Sequence, residues 1–489
     1  GDYNAEVYLN GIFVGQHEGF FAPFEFDISG LAKKGENKLL VKVKNDITTT
    51  GGENDKGQKV IGDKIYAATG PGYDEPTKGW HHCPPAMGIY QDCYIESRAK
   101  LHVNDLFVRP QIQDSTAEAW IEINNRKTYN EKVKLNISVY GQNFEKTIFE
   151  NLEYKPRTTI VPGIGDLDKP TDNQSVPLPM MGGYVNYLKV NIPMPEFRLW
   201  SPNSPWLYEL QVKVIDKNGE LLDVQTREFG MRSFTMDTVN IPRGRLYLNG
   251  KTIRLRGANT QGHLQNCVIN KDWNQLRDDI LLAKIANMNY LRITQRPVQD
   301  EIYSYCDMLG LMNQTDLPLF GTLSRNQFSE LVKQAGEMER LVRSHPSTIM
   351  VTYINERFPN GEGFPQRSFS TPEEYKKVFD ALNQAVHLQN PDRLIKPVDG
   401  DYDPPAQGLP DNHCYNMWYN GHGLEVGKMH KGYWQPVKPG WYYGCGEFGA
   451  EGLDRVGVMK KYYPDEWLPK NKEEEKQWTP NQISMCQTG

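Results

Sequence analysis

Apolar and polar positions alternate with a period of two through the first half of the chain. Ala5-Glu6-Val7-Tyr8-Leu9 alternates, Asn10-Gly11 supplies a turn, and Ile12-Phe13-Val14 resumes, which is the pattern of a β-hairpin. Phe24-Glu25-Phe26-Asp27-Ile28 and Leu39-Leu40-Val41-Lys42-Val43 predict two further strands, and 89–95 predicts a closing one. Between them, 48–58 is rich in Gly, Thr and charge and reads as a loop. Strands at this spacing predict a first β-sandwich over 1–102.

A second series fills 103–236. Ala119-Trp120-Ile121-Glu122-Ile123, Val133-Lys134-Leu135-Asn136-Ile137, Tyr187-Leu188-Lys189-Val190 and Leu210-Gln211-Val212-Lys213-Val214 all alternate. The length suits an immunoglobulin-like sandwich with one insertion near 163–183. No cysteine lies in this stretch, so it has no inter-sheet disulfide.

After about Ser233 the rhythm changes to strand-like runs separated by helix-like ones. Strands are predicted at 252–259, 289–294, 311–317, 348–355, 393–398, 412–418 and 441–447. Helices are predicted at 271–287, 300–309, 325–344 and 372–388. Repeated βα units imply a parallel sheet, and seven such strands fall one short of a (β/α)₈ TIM barrel over 237–489. The tail 464–489 is rich in Lys, Glu, Pro and Gln and offers no apolar strand. The eighth strand is therefore expected beyond Gly489 unless the barrel is open. The chain also opens in what reads as the middle of a sandwich, so it is expected to be a fragment at both ends.

Composition narrows the function. With 489 residues, three domains are expected; 38% hydrophobic and 24% charged residues are ordinary globular usage. The net charge of −6 lacks the basic footprint of a nucleic-acid binder. No apolar run approaches the roughly 18 residues of a membrane span. The seven cysteines form no Cys-x-x-Cys pair, so they read as buried thiols. Gly-Asp-Tyr-Asn-Ala at the start carries no mark of a signal peptide, which is uninformative if the natural start lies upstream.

In a (β/α)₈ barrel the chemistry sits at the C-terminal ends of the strands. The fourth predicted strand runs into Asn355-Glu356-Arg357, the seventh into Glu447-Phe448-Gly449, and the second carries Arg292 late in its run. Either glutamate alone could pair with an arginine at the barrel rim. Together they face each other across the mouth, and two carboxyls about 5–5.5 Å apart are what a retaining glycosidase needs.

An ordered set of motifs then resembles family 2 of the glycoside hydrolases, the group of β-galactosidases, β-glucuronidases and β-mannosidases. It comprises Glu6-Val7-Tyr8-Leu9-Asn10-Gly11, Gly88-Ile89-Tyr90, Trp200-Ser201-Pro202, Phe229-Gly230-Met231-Arg232, Leu248-Asn249-Gly250-Lys251, Leu255-Arg256-Gly257-Ala258-Asn259, Asn355-Glu356 and Glu447-Phe448-Gly449. The resemblance implies a jelly-roll sugar-binding domain, an immunoglobulin-like domain and a catalytic (β/α)₈ barrel. It implies Glu447 as nucleophile, Glu356 as acid/base, Asn355 on the sugar 2-hydroxyl and Arg292 holding Glu447 ionised. Glu356, kept protonated until it donates, should be the less solvated of the two.

The departures are specific. Gln295 in Arg292-Ile293-Thr294-Gln295-Arg296-Pro297 stands where the family's histidine is usual, and Thr260-Gln261-Gly262 replaces Arg-His-Glu, with His263 next to it. Asp316-Leu317-Pro318 stands where Asp-Glu is frequent. Cys414-Tyr415-Asn416-Met417-Trp418-Tyr419 resembles the glucuronidase pattern. His263, Tyr415, Trp418 and Tyr419 are therefore candidate substrate contacts, barrel packing being the other reading of the three aromatics. Asp74 lies in a loop from which some members send an acidic residue into the site. The neighbours His81-His82-Cys83 would not converge on one ion, and no metal or cofactor is expected. The resemblance implies a retaining exo-β-glycosidase, β-galactosidase-like, with a β-uronidase as the alternative and a non-catalytic carbohydrate-binding relative as the alternative class. An oligosaccharide or glycoside substrate is expected, with no nucleic acid and no membrane partner. Homo-oligomerisation stays open, and a periplasmic or secreted location is favoured.

Overall fold

The computed structural model describes residues 1–19, 21–44, 52–53, 59–60, 65, 88–145, 147–153, 178–260, 262–357, 370–400, 408–411, 413–417, 438–442, 444–450, 456–462, 465 and 468–477. Two β-sandwich segments precede a TIM-barrel segment. The first presents an antiparallel sheet with Asn4–Leu9 between Ile12–Glu18 and Leu39–Lys44. Leu9 pairs with Ile12 across Asn10 and Gly11, whose φ values of 52° and 82° are those of a two-residue primed turn. Two expected strands are corrected. Residues 24–28 and 89–95 are irregular, and only Gly88 bridges back, to Asp2. Phe26 instead packs its ring where a Cβ on Gly15 would sit, 2.4 Å from the ring edge.

The second sandwich packs Leu101–Gln111, Thr116–Asn125 and Tyr184–Pro193 against a sheet containing Glu131–Gly141, Tyr208–Asp216 and Leu221–Phe229. Burial alternates strictly along Tyr208–Asp216, so the period-two pattern marks the inner face. Residues 163–177 of the expected insertion lie outside the described ones, and Leu178–Met180 is an edge strand on Glu131–Gly141.

Trp200 joins this sandwich to the barrel. It is fully buried, and its Nε1 donates to the carbonyl of Asp307 at 3.0 Å. Gly310, at φ 72°, ends the helix Asp300–Leu309 so close to the Pro202 carbonyl that a Cβ would lie 2.4 Å from that oxygen.

One predicted strand, 252–259, divides in two. Lys251–Ile253 closes a small antiparallel sheet with Arg245–Leu248 across another Asn-Gly turn, and Gly257–Thr260 is the first parallel strand. Tyr290–Ile293, Met312–Asp316, Thr348–Thr352 and Leu394–Ile395 continue that parallel sheet in order. Ile354–Asn355 pairs with Val398–Asp399, and Cys414–Met417 with Phe448–Ala450, also in parallel. The seventh strand thus lies after Glu447 rather than over 441–447. Ile354–Asn355 continues the fourth barrel strand and Val398–Asp399 the fifth, so seven barrel strands are present and no eighth occurs among the described residues. An unexpected helix, His263–Ile269, precedes Trp273–Ile285. The Glu473-Glu474-Glu475-Lys476 run is exposed, as its charge requires, and helical. Cys267 and Cys306 are buried, whereas Cys93 and Cys445 are exposed, against the reading of all the cysteines as buried. No helix among the described residues is long and apolar enough to cross a membrane.

At the N-terminal ends of the barrel strands Arg393 is buried against Glu339, its Nε 2.9 Å from both carboxylate oxygens, and Asn390 adds a third bond at 3.0 Å. Glu339→Ala would strand a desolvated guanidinium. It is expected to cost about 3–5 kcal/mol, read as a lower urea midpoint; an unchanged midpoint would show that the pair adds nothing to the fold.

Candidate active site

The fourth barrel strand enters the site through Asn355, which is buried, and then turns at Glu356 with φ 45°. A side chain held in this left-handed region costs about 1–3 kcal/mol and persists only where its surroundings over-determine it. Here the Glu356 amide donates to the Asp399 carbonyl at 2.8 Å.

Arg292 is 1% exposed on the second strand, so its charge needs full compensation. Its Nε donates to Asp316 Oδ2 at 2.9 Å and its Nη2 to the same oxygen at 2.6 Å. Nη2 also donates to Asn355 Oδ1 at 2.7 Å, while Nη1 lies 2.7 Å from Glu447 Oε1 and from Asp399 Oδ1. Lys396 lies against Asp399 and, at 2.9 Å, Asp411. Gln314 donates to Asp316 at 3.0 Å and to Asp399 at 2.9 Å.

His413 stands at the centre and is buried. Its Nδ1 is 2.8 Å from Glu356 Oε1 and 3.5 Å from Glu447 Oε2, and its Nε2 is 2.8 Å from Asp399 Oδ1 and 3.8 Å from Asp411 Oδ1. Two glycines let these groups close up. A Cβ on Gly400 would sit 2.8 Å from the His413 ring, and one on Gly446 would sit 2.1 Å from Asp399 Oδ1.

Carboxylate oxygens of Glu356 and Glu447 lie within 4.8 Å of each other, with His413 between them. Glu356 is 18% exposed and Glu447 13%, so the expected order of solvation is reversed. Arg292 does meet Glu447, but burial raises that carboxyl above its ordinary value and outweighs the lowering by His413 and Arg292. Burial alone would push Asp399 up as well; Arg292, then Lys396 and His413, hold it well below the usual carboxylate range. Burial would pull His413 down, yet its bonds to Asp399 and Glu356 and the charge of Glu447 push it up to about 10.

The donor sets Glu356–His413–Glu447 and Asp399–Asp411–His413 are compact enough to hold an ion. Their atoms are already committed to Arg292, Lys396 and one another, so we assign no metal to them.

His263 opens the helix His263–Ile269 on the exposed side, and no hydrogen bond or ion pair joins it to either glutamate among the described residues. Tyr415 lies on Cys414–Met417, whose side chains are outside the described ones, and Asp74, Trp418 and Tyr419 lie outside altogether. Sequence reasoning missed Asp399, Lys396, Asp411 and His413. Asp399 ends the run Ile395-Lys396-Pro397-Val398, so the search for polar residues after apolar runs would have found it; His413 follows no such run.

A cleft of about 590 Å³ lined by Phe107, Arg232, Arg343 and Asn390 is far from this chemistry. It opens beside residues that precede the barrel strands, at the opposite end of the barrel.

Comparison with known families gives the class. The family model described as glycosyl hydrolases family 2 matches 101–232, and that described as the TIM barrel domain of the same family matches 239–479. The chain belongs to glycosyl hydrolase family 2. It is 25% identical over 361 residues to a β-galactosidase of Alteromonas mediterranea, covering 72% of this chain and 30% of that one. It is 28% identical over 367 residues to a β-galactosidase of Thermoanaerobacter pseudethanolicus, covering 71% and 40%. A solved β-glucuronidase of Bacteroides uniformis superposes with a TM-score of 0.63 at 20% identity, over 88% of this chain and 47% of that one. The chain therefore spans less than half the length of each.

Proposed function

We propose that this chain carries the catalytic centre of a retaining exo-β-glycosidase acting on terminal β-galactosides. The observation that carries the reading is the approach of the Glu356 and Glu447 carboxylates to within 4.8 Å on the barrel's active face. That approach lies on the short side of the carboxyl separations that divide retaining from inverting enzymes and suits direct attack by one carboxylate.

Glu447, aligned by Arg292, attacks the anomeric carbon while Glu356 protonates the departing oxygen. Water then cleaves the glycosyl-enzyme, with Glu356 taking its proton. Asn355 turns its Oδ1 to Arg292, so its amide NH₂ is the group that meets the sugar 2-hydroxyl. His263 at the rim, Tyr415, Trp418, Tyr419 and Asp74 are the proposed outer contacts to substrate.

The charge balance favours a neutral sugar. Asp316, Asp399, Asp411, Glu356 and Glu447 outnumber Arg292, Lys396 and a protonated His413, and each of those cations is already in contact with carboxylates. Among the described residues of this cluster, a uronate would need a further cation. The glucuronidase-like pattern at 414–419 keeps a β-glucuronide as the second reading.

A panel of aryl β-glycosides tests the proposal, with the β-galactoside expected to be cleaved fastest. NMR should show the β-anomer as the first sugar released. An α-anomer would reject retention, and an inert panel would leave the non-catalytic carbohydrate-binding reading.

A further inference from the structure

We propose that His413 and Glu356 hold a single proton between them, and that this shared proton is the one delivered to the leaving oxygen. The inference rests on the glycosidase reading of Glu356 and deepens it.

Each ring nitrogen lies 2.8 Å from a carboxylate oxygen, Nδ1 from Glu356 and Nε2 from Asp399. A neutral imidazole has one N–H to give and an imidazolium two. A neutral ring between two ionised carboxylates would set a nitrogen lone pair against an oxygen lone pair. Two arrangements satisfy both contacts. Either the ring is protonated between two carboxylates, or a neutral ring donates from Nε2 to Asp399 and accepts at Nδ1 from protonated Glu356. They hold the same number of protons and differ only in the position of one along the Nδ1–Oε1 contact.

The groups around the ring decide which side takes that proton. Asp399 and Asp411 face Nε2; Glu356 and Glu447 face Nδ1. Lys396 contacts both aspartates and Arg292 contacts Asp399, so Asp399 stays ionised. Glu356 carries no such cation among its described ion pairs other than His413 itself. The mobile proton is therefore the one on the Nδ1 side, at the contact with Glu356, and the raised affinity of the ring keeps it in the pair at neutral pH.

The step balances. As the glycosidic C–O bond breaks, its electron pair goes to the leaving oxygen, and Glu447 forms the new bond to carbon. The leaving oxygen gains one proton and the pair loses one. Glu356 is left as carboxylate and His413 as a neutral ring still donating from Nε2. Water then bonds to the anomeric carbon as the Glu447–carbon bond breaks and frees the carboxylate, and the proton that water sheds goes to Glu356, which restores the pair.

The competent form keeps its proton and is lost as pH rises through the pair's own pKa, which the raised affinity of the ring sets high. His413→Asn can still donate one hydrogen bond toward Glu356 but cannot carry the proton. In that variant the basic limb of kcat/KM on an unactivated aryl β-galactoside should fall by about one pH unit or more. Cleavage of the 2,4-dinitrophenyl glycoside, which needs no proton, should show no such limb in either protein. An unchanged basic limb in His413→Asn would overturn the proposal.

Nitrogen-15 NMR of the His413 ring, assigned by its loss in His413→Asn, gives a readout without catalysis. Glu356→Gln should lower the ring's titration, whereas an unmoved titration would overturn the sharing. A wild-type chain that cleaves no glycoside would refute the glycosidase reading alone, and the NMR comparison would still decide the pair.

Discussion

Glu447→Gln should lower kcat on an aryl β-galactoside by about four to six powers of ten, the scale seen when a covalent nucleophile is removed. The amide cannot open the covalent route, and it takes away the negative charge facing Arg292 Nη1 and His413. Asp316, Asp399 and Asn355 still hold Arg292, so the fold should survive, and circular dichroism would check that. In the wild type, a 2-deoxy-2-fluoro galactoside with a good leaving group should form a stable adduct, because the fluorine slows its breakdown. Digestion and mass spectrometry should find the added mass on Glu447. Label on any other carboxylate would sink the assignment.

Glu356→Ala should cost about 10²–10⁴-fold on glycosides whose leaving group must be protonated. On a 2,4-dinitrophenyl glycoside the loss of the bond-breaking step should be far smaller. Azide, small enough to enter the space vacated by the carboxylate, should restore turnover and give a β-glycosyl azide. Equal losses on both substrates without rescue would leave Glu356 as a structural residue. Glu356 is held at a left-handed φ, so alanine keeps part of the backbone strain and the comparison isolates the carboxylate.

The parts of this centre legible in the sequence are those that follow an apolar run. Thr348–Thr352 announces Asn355 and Glu356 because a buried strand needs continuous apolar side chains, and the polar residues begin where it leaves the core. Arg292 was legible as a cation within an otherwise apolar stretch. Glu447 was legible as a candidate, but its setting was misjudged. The run before it looks apolar, yet its described residues, 441–442 and 444–446, lie in irregular backbone tied by bridges from Arg243 to Trp441 and from Asp411 to Gly444. His413 was invisible because nothing local marks it: its role depends on Glu356, Asp399 and Asp411, which lie on other parts of the barrel. The 24–28 segment failed for a related reason. Its alternation is real, but Phe26 satisfies it by packing on Gly15 rather than by pairing in a sheet.

The close approach of Gly446 to Asp399 bears on how such a sequence can change over time. Any side chain at 446 meets Asp399 Oδ1 and then Asp411 Oδ1, at 2.1 and 2.9 Å from its first carbon. Asp399 cannot retreat without leaving Arg292, Lys396 and His413 short of a partner. Gly400, at φ 77°, is bound in the same way by the His413 ring. Single substitutions at 399, 400, 413 and 446 are thus closed to one another: each is harmful on the background of the others. Descendants of this chain should either keep all four or replace them as a set, so related sequences would divide into groups with no intermediates at these positions.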